Sequence, residues 1–156
     1  MPRRRVVKKR DISPDPVYSS KLVTKFINNL MRRGKKSLAQ RIFYQAMDRI
    51  NSRTGKPPVD IFKKAIDNIR PQLVVKSRRV GGATYQVPVE VPIEKGISIA
   101  IRWILAFTRA QKGRSMQEKL ADEFINAANN TGPSIKKRDD THRMAEANRA
   151  FTHYRW

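Results

Sequence analysis

The sequence predicts a mainly α fold, a single-domain bundle of about six helices with a protruding β-hairpin arm. Apolar residues recur at helical spacing in residues 17–71 and again in residues 93–156. Between them, residues 72–92 are rich in Val and contain a Gly-Gly pair, which is typical of a hairpin. A chain of 156 residues is of single-domain size. We therefore expect one domain, which begins with a basic arm at residues 1–16 and ends in a short tail.

The first three helices, within residues 17–71, each combine a one-sided apolar face with a residue that ends the helix. The three stop residues are Gly34, Gly55 and Pro71. The second helix is expected to begin with the capping box Ser37-x-x-Gln40, whose side chains would satisfy free backbone N–H groups.

Residues 72–80 and 83–91 predict two strands, because the Gly81-Gly82 pair between them suits the tight turn of a hairpin. Pro88 cannot donate a hydrogen bond to a neighbouring strand, so the returning strand must be an edge or irregular. An isolated two-stranded ribbon is marginal in water. We therefore expect the hairpin to project from the helices as an arm and to be supported by contact with a helix or with a ligand.

Helical spacing returns near Ile93 and predicts three more helices. A second capping box, Ser115-x-x-Glu118, marks the expected start of the fifth helix. The sixth helix is polar, and its sequence leaves two starting points open, Pro133 and Asp140.

The net charge limits what the chain can bind. It has 34 Lys and Arg against 13 Asp and Glu, a formal charge of +21. Charge of one sign at this density repels itself, and a polyanionic partner relieves the repulsion. The balance argues against an ordinary metabolic enzyme and favours a nucleic acid or an anionic surface as the partner.

Membrane insertion is not expected. The basic residues 1–10 are not followed by the apolar core of a signal peptide. The most apolar stretch, from Ile97 to Phe107, is short and contains Arg102, which indicates a buried helix.

Motifs for catalysis, metal binding and small-molecule binding are weak. There is no cysteine, and His142 and His153 lack metal-ligand spacing, so we expect both to make polar contacts. Residues 34–37, Gly-Lys-Lys-Ser, lack the first glycine of a phosphate-binding loop. The pair Asp139-Asp140 is better explained as acids at a helix N-terminus than as a metal site. We predict no active site, no metal, no cofactor and no small-molecule substrate.

Four basic clusters exceed what a solvated helix surface needs, since each repels itself without a nearby anion. They are the arm (Arg3, Arg4, Arg5, Lys8, Lys9, Arg10), an inter-helix turn (Arg32, Arg33, Lys35, Lys36), the hairpin near its tip (Lys76, Arg78, Arg79) and the last helix (Lys136, Lys137, Arg138). Arginine suits bidentate contacts to phosphate and stacking on bases. These residues alone predict a nucleic-acid-binding protein without separating RNA from DNA.

Three aromatic residues near basic ones, Tyr85, Tyr154 and Trp156, suit stacking on unpaired bases, with packing in the protein as the alternative. For Trp103 and Phe151 we expect packing on the core.

Three stretches resemble the small-subunit ribosomal protein S seven family in order and spacing. They are Ser77-Arg-Arg-Val-Gly-Gly-Ala-Thr-Tyr-Gln-Val-Pro-Val-Glu-Val91, residues 31–39, and residues 144–156. The Pro2-Arg3-Arg4-Arg5 start and the ending at Trp156 are similar to the bacterial or plastid form. The resemblance covers essentially the whole chain.

The resemblance implies a structural constituent of the small ribosomal subunit, located in the bacterial cytoplasm or the plastid stroma. Such a protein binds the 3′ major domain of small-subunit rRNA first and nucleates assembly of the subunit head. It lies near the decoding region, exit-site tRNA and the mRNA exit path. The resemblance also implies ribosomal proteins S nine and S eleven as neighbours.

The resemblance and the basic clusters together nominate the contact residues. The four clusters, with Arg102 and Arg114 added, are the expected rRNA contacts. The residues expected near tRNA and mRNA are Arg79, Gly81, Gly82, Arg143 and Tyr154. Two rival classes remain to be tested, an architectural DNA-binding protein and a cationic membrane-surface protein.

Overall fold

The computed structural model describes residues 11–154, which form six helices and one hairpin. The helices are α1 (Lys21–Leu30), α2 (Lys36–Thr54), α3 (Pro58–Ile69), α4 (Ile93–Ala110), α5 (Met116–Ala128) and α6 (Pro133–Ala147). Strands β1 (Leu73–Val80) and β2 (Ala83–Glu90) lie between α3 and α4, and a 3-10 helix (Arg149–Tyr154) follows α6. The predicted mainly α fold with a hairpin is confirmed. The six basic residues of the arm up to Arg10, and Trp156, lie outside the described residues.

Four fully buried phenylalanines from four helices form the centre of the core. Phe26, Phe43, Phe62 and Phe124 come from α1, α2, α3 and α5, and each is 0% exposed. The ring centroids of Phe62 and Phe124 lie 5.2 Å apart, nearly edge to face, the arrangement that aromatic pairs prefer. The apolar faces predicted from the spacing therefore meet at one place.

Two of the three predicted helix stops are confirmed, whereas α1 ends at Leu30, four positions before the predicted stop at Gly34. Helix α2 ends before Gly55, whose φ of 63° suits glycine, and α3 ends before Pro71. Helix α2 begins at Lys36, so Ser37 already lies within the helix and caps nothing, and that predicted capping box is wrong. Ser115 does hold the N-cap position of α5, but its side chain makes no capping hydrogen bond.

Helix α6 begins at Pro133, the earlier of the two predicted starts. Asp139 and Asp140 therefore lie in the middle of the helix, and their interpretation as N-terminal acids is wrong. Asp139 instead accepts hydrogen bonds from Arg138, and Asp140 lies 3.8 Å from Arg143.

The hairpin has the predicted two-residue turn between its strands. Leu73 pairs with Glu90 at its base, and Val80 pairs with Ala83 beside the turn. Gly81 and Gly82 have φ values of 57° and 89°, both positive, as the two-residue turn of this hairpin requires.

The base of the hairpin packs against α6 and the 3-10 helix, so it leans on helices as predicted. Val87 of β2 is 0% exposed. The Phe151 ring of the 3-10 helix lies 5.3 Å from the Tyr85 ring, centroid to centroid. The expectation that Phe151 packs on the helical core is wrong, because its ring partner is in the hairpin. Trp103 does pack against the core.

Within residues 11–154, none of the helices combines the length and apolar character that a membrane span needs.

Candidate nucleic-acid interface

The turn between α1 and α2 presents four exposed cations. Arg32, Arg33, Lys35 and Lys36 are all exposed, and Arg33 and Gly34 both have positive φ. Lys36 opens α2, whose first turn contains no acidic residue. The positive end of the helix dipole and the lysine charges therefore repel each other, and an anion at this turn would relieve both.

A groove beside this turn combines an apolar lining with a basic rim. Its volume is about 250 Å³, and Arg32, Lys35 and Arg109 form the charged part of the lining. The remaining lining is Leu30, Met31, Leu38, Ala39, Ile42 and Met116. Leu38 of α2 is 46% exposed at this groove.

Arg109 is a candidate that sequence reasoning missed. Its Nη2 donates to the Leu30 carbonyl oxygen over 3.1 Å, which binds α4 to the end of α1. Burial, and then the Arg32 guanidinium nearby, lower the pKa of Arg109. The spacing of seven residues from Arg102 places both arginines on nearly the same side of α4, a signal that the sequence contained.

The hairpin presents its cations near the tip. Lys76, Arg78 and Arg79 are exposed, and so are Gly81 and Gly82. A Cβ atom built on either glycine would meet no other group within 4 Å. The turn therefore leaves its backbone open to close approach by a ligand.

The predicted cluster on the last helix contains two kinds of residue, exposed lysines and an arginine with partners inside the protein. Lys136 and Lys137 are exposed. The Arg138 guanidinium is half-buried, donates through Nη1 to the Asn68 carbonyl oxygen and through Nε to Asp139 Oδ1 at 2.8 Å. Arg138 thus joins α6 to α3 within the protein.

The remaining nominated arginines differ in the same way. Arg114 pairs with Asp122 at 2.8 Å, and Arg53 of α2 pairs with the other oxygen of that carboxylate. Arg143 is 81% exposed at its side chain, and Arg102 is exposed on α4. Tyr154 ends the 3-10 helix. Arg114 therefore joins the α4–α5 loop to α5 within the protein.

Acidic residues of α5 and α6 neutralise cations away from the turn between α1 and α2. The ion pairs of Glu118 and Asp122 join α2 or the α4–α5 loop to α5, and those of Asp139 and Asp140 lie inside α6. Within residues 11–154, no ion pair involves Arg32, Arg33, Lys35 or Lys36. This surface keeps its full charge for an external anion.

His142 makes the polar contact expected from its sequence. Its Nε2 accepts a hydrogen bond from the Gln72 backbone N–H over 3.0 Å. Over the described residues, His and carboxylate side chains form no group of three that could hold a metal ion.

Comparison with protein families identifies the family to which this chain belongs. The family model described as "Ribosomal protein S7p/S5e" matches residues 2–149. The chain belongs to this family. It is a bacterial-type protein of the small ribosomal subunit, and its family is one of structural ribosomal proteins, not enzymes.

Bacterial relatives are similar to the chain over its full length. The proteins of Syntrophobacter fumaroxidans, Myxococcus xanthus and Thermoanaerobacter sp. strain X514 are 59%, 58% and 57% identical to it over 156 residues. These matches cover 100% of both chains, and each relative is named "Small ribosomal subunit protein uS7". The resemblance inferred from the three stretches is thereby confirmed.

Proposed function

We propose that this chain is a primary binding protein for the 3′ major domain of small-subunit rRNA and nucleates assembly of the subunit head. The observation that carries the proposal is the exposed, unpaired turn cluster beside an apolar groove. Phosphates would lie on the cations, and an unpaired base would enter the groove. The grooves of A-form helices give little base readout, so proteins that bind folded RNA rely on phosphates, shape and unpaired bases.

Two features of the turn support a phosphate contact there. Lys35 and Lys36 stand at the positive end of the α2 dipole, where the charges repel each other without an anion. Arg33 is a non-glycine residue with a φ of 51°, a left-handed conformation that costs free energy and that clusters at ligand-binding sites.

The hairpin and α6 would serve a second part of the same RNA surface. Lys76, Arg78 and Arg79 would bind rRNA along the hairpin, as would Lys136 and Lys137 on α6. The arm up to Arg10, and Arg102, complete this set of proposed contacts. Arg114 and Arg138 have intramolecular partners and are weaker candidates.

The open turn of the hairpin supports a position near the exit-site tRNA and the mRNA exit path. Gly81 and Gly82 leave the backbone accessible, with Arg79 close to them. Arg143 and Tyr154 would face the same ligands. The proposed location near the decoding region, with ribosomal proteins S nine and S eleven as neighbours in the bacterial cytoplasm or plastid stroma, rests on the family.

A competition experiment tests the proposal against its rivals. The full chain would be titrated against a labelled multi-helix junction from the 3′ major domain at fixed salt, with duplex DNA or anionic vesicles as competitor. We expect the junction to bind at least about a hundredfold more tightly than duplex DNA, as specific sites do. Equal affinity for DNA would favour an architectural DNA-binding protein. Competition by vesicles with a gain in helix would favour a membrane-surface protein.

A further inference from the structure

The contacts around the hairpin indicate what holds it in place. We propose that His142 of α6 and Phe151 of the 3-10 helix are positioning residues that fix the direction of the hairpin relative to the helices. They would thereby determine where Lys76, Arg78 and Arg79 meet the RNA. This inference rests on the proposed function, since it assigns the hairpin cations to an RNA contact.

His142 acts at the base of the hairpin. Gln72 immediately precedes β1, and its N–H donates to His142 Nε2 over 3.0 Å. The Gln72 carbonyl oxygen accepts a hydrogen bond from the Val91 N–H over 2.9 Å, which closes the two ends of the hairpin. One residue therefore joins the strands to each other and to α6.

The loop before the hairpin is also held by α4 and α6. A Cβ atom at Gly96 of α4 would lie 2.7 Å from Arg70 Cγ and 3.3 Å from the Pro71 carbonyl oxygen. Arg138 of α6 donates to the Asn68 carbonyl oxygen, just before that loop. Because two helices restrain residues 68–72, a rotation of the hairpin has to break specific contacts.

Phe151 supports the hairpin further out. Its ring lies 5.3 Å from that of Tyr85, and Tyr85 pairs with Arg78 in the register. Val87, two residues nearer the base on the same strand face, is fully buried. Support thus reaches the level of Arg78.

The length of the strands converts a small tilt into a large displacement. At about 3.4 Å per residue, an eight-residue strand reaches roughly 27 Å, so a tilt of about 10° moves the tip by roughly 5 Å. That displacement exceeds the ~3 Å length of a hydrogen bond. Loss of either support therefore weakens the contacts of the cations although their charges remain.

A double-mutant cycle tests this role. His142→Ala and Phe151→Ala would each be measured for affinity to the 3′ major domain junction, with Lys76 and Arg79 present and again in a Lys76→Ala/Arg79→Ala background. We expect each to lower affinity about three- to tenfold in the first case and to have a clearly smaller effect in the second, where Arg78 is the one hairpin cation of the three that remains, the coupling typical of interacting sites. Met144→Ala, at an exposed position of α6, is the control and should change nothing.

Two further experiments test the positioning role, a conservative variant and a measurement without RNA. His142→Gln provides an amide oxygen that can accept the Gln72 N–H, so it should restore most of the affinity. Backbone residual dipolar couplings should show the strands departing from the alignment of α1–α5 in the His142→Ala/Phe151→Ala double variant. Couplings that still fit one alignment would overturn the positioning role. Equal losses in both backgrounds would overturn it as well, whereas a wild-type chain without preference for the junction would refute the proposed function alone.

Discussion

Asp15 is a buried acid in a chain of net charge +21, and both of its carboxylate oxygens are satisfied. Oδ2 accepts hydrogen bonds from the N–H groups of Val17 and Tyr18, and Oδ1 accepts one from the Tyr44 hydroxyl over 2.8 Å. Burial, followed by the hydrogen bond to Asp15, raises the pKa of Tyr44 to about 12. Asp15 thus ties the segment before α1 to α2.

Removal of the Tyr44 hydroxyl should measure the strength of this tie. We expect Tyr44→Phe to lower the free energy of unfolding by about 1–2 kcal/mol, because Asp15 loses a partner while remaining buried. Urea denaturation monitored by circular dichroism gives the value. Tyr18→Phe, whose ring contact with Tyr44 is retained, is the matched control, and an equal loss there would contradict a specific role for the Asp15 bond.

The hydrogen bond of His142 depends on pH, because Nε2 must be unprotonated to accept the Gln72 N–H. Burial lowers the pKa of His142 below its ordinary value of 6.5, the Arg138 guanidinium lowers it further, and Asp139 raises it. The cleft on the hairpin side contains two acids and one further cation. These are Glu90, Glu146 and Arg149.

The sign of the pH dependence follows from the lowered pKa. The neutral form of His142 stabilises the fold above about pH 6.5, and this contribution is lost as the pH falls through the folded pKa. We expect the protection of the Gln72 amide against hydrogen exchange to fall over that range. An NMR titration of the His142 ring protons gives the pKa, and a value at or above 6.5 would contradict the prediction.

At the scale of elements, the hairpin combines a supported base with an exposed tip. Because Lys76 and Arg79 are exposed and absent from the ion pairs of residues 11–154, their removal should not disturb the fold. We expect Lys76→Ala/Arg79→Ala to leave the melting temperature nearly unchanged and to weaken rRNA binding by roughly tenfold, about 1.4 kcal/mol.

The control for that variant removes the same charge elsewhere. Lys63→Ala/Lys64→Ala changes two exposed lysines of α3 and should have a smaller effect on affinity. If the hairpin variant unfolds, these side chains support the fold, which contradicts the prediction. If the two variants lose affinity equally, the hairpin tip is not an RNA contact.

How well an element was predicted depended on whether its cause is local. Helix faces and the glycine turn follow from the spacing and backbone freedom of nearby residues, so they could be read from the sequence. The first capping box failed because the N-cap of α2 is Lys35, two residues before Ser37. In the second box, Glu118 pairs with Arg49 over 2.9 Å. A local sequence pattern does not show which partner on another helix a side chain will bind.

The site shows the same limit. The basic clusters could be found as runs of like charge, but the partners of Arg138, Arg114 and His142 lie on other elements. Arg138 binds a carbonyl 70 residues away in the sequence, and His142 binds one N–H at the same separation. Only the packing of α6 against α3 and the hairpin brings the partners of Arg138 and His142 to them.

At the scale of the whole molecule, the arm contributes six basic residues before Asp11. If these bind phosphates, deletion of residues 1–10 should flatten the slope of log affinity against log salt by about 0.7–0.9 for each phosphate that the shortened chain no longer neutralises. The measurement is a salt titration of binding to the junction, with the melting temperature of the truncated chain as a check on folding. An unchanged slope would mean that the arm contributes nothing to binding.

The proposed function directs the charge of this chain at one domain of one RNA. A chemical footprint of the full chain on complete small-subunit rRNA is the decisive measurement. We expect protections confined to the 3′ major domain, some of which disappear in the Lys76→Ala/Arg79→Ala variant. Protections spread over all domains, or concentrated outside the 3′ major domain, would contradict it.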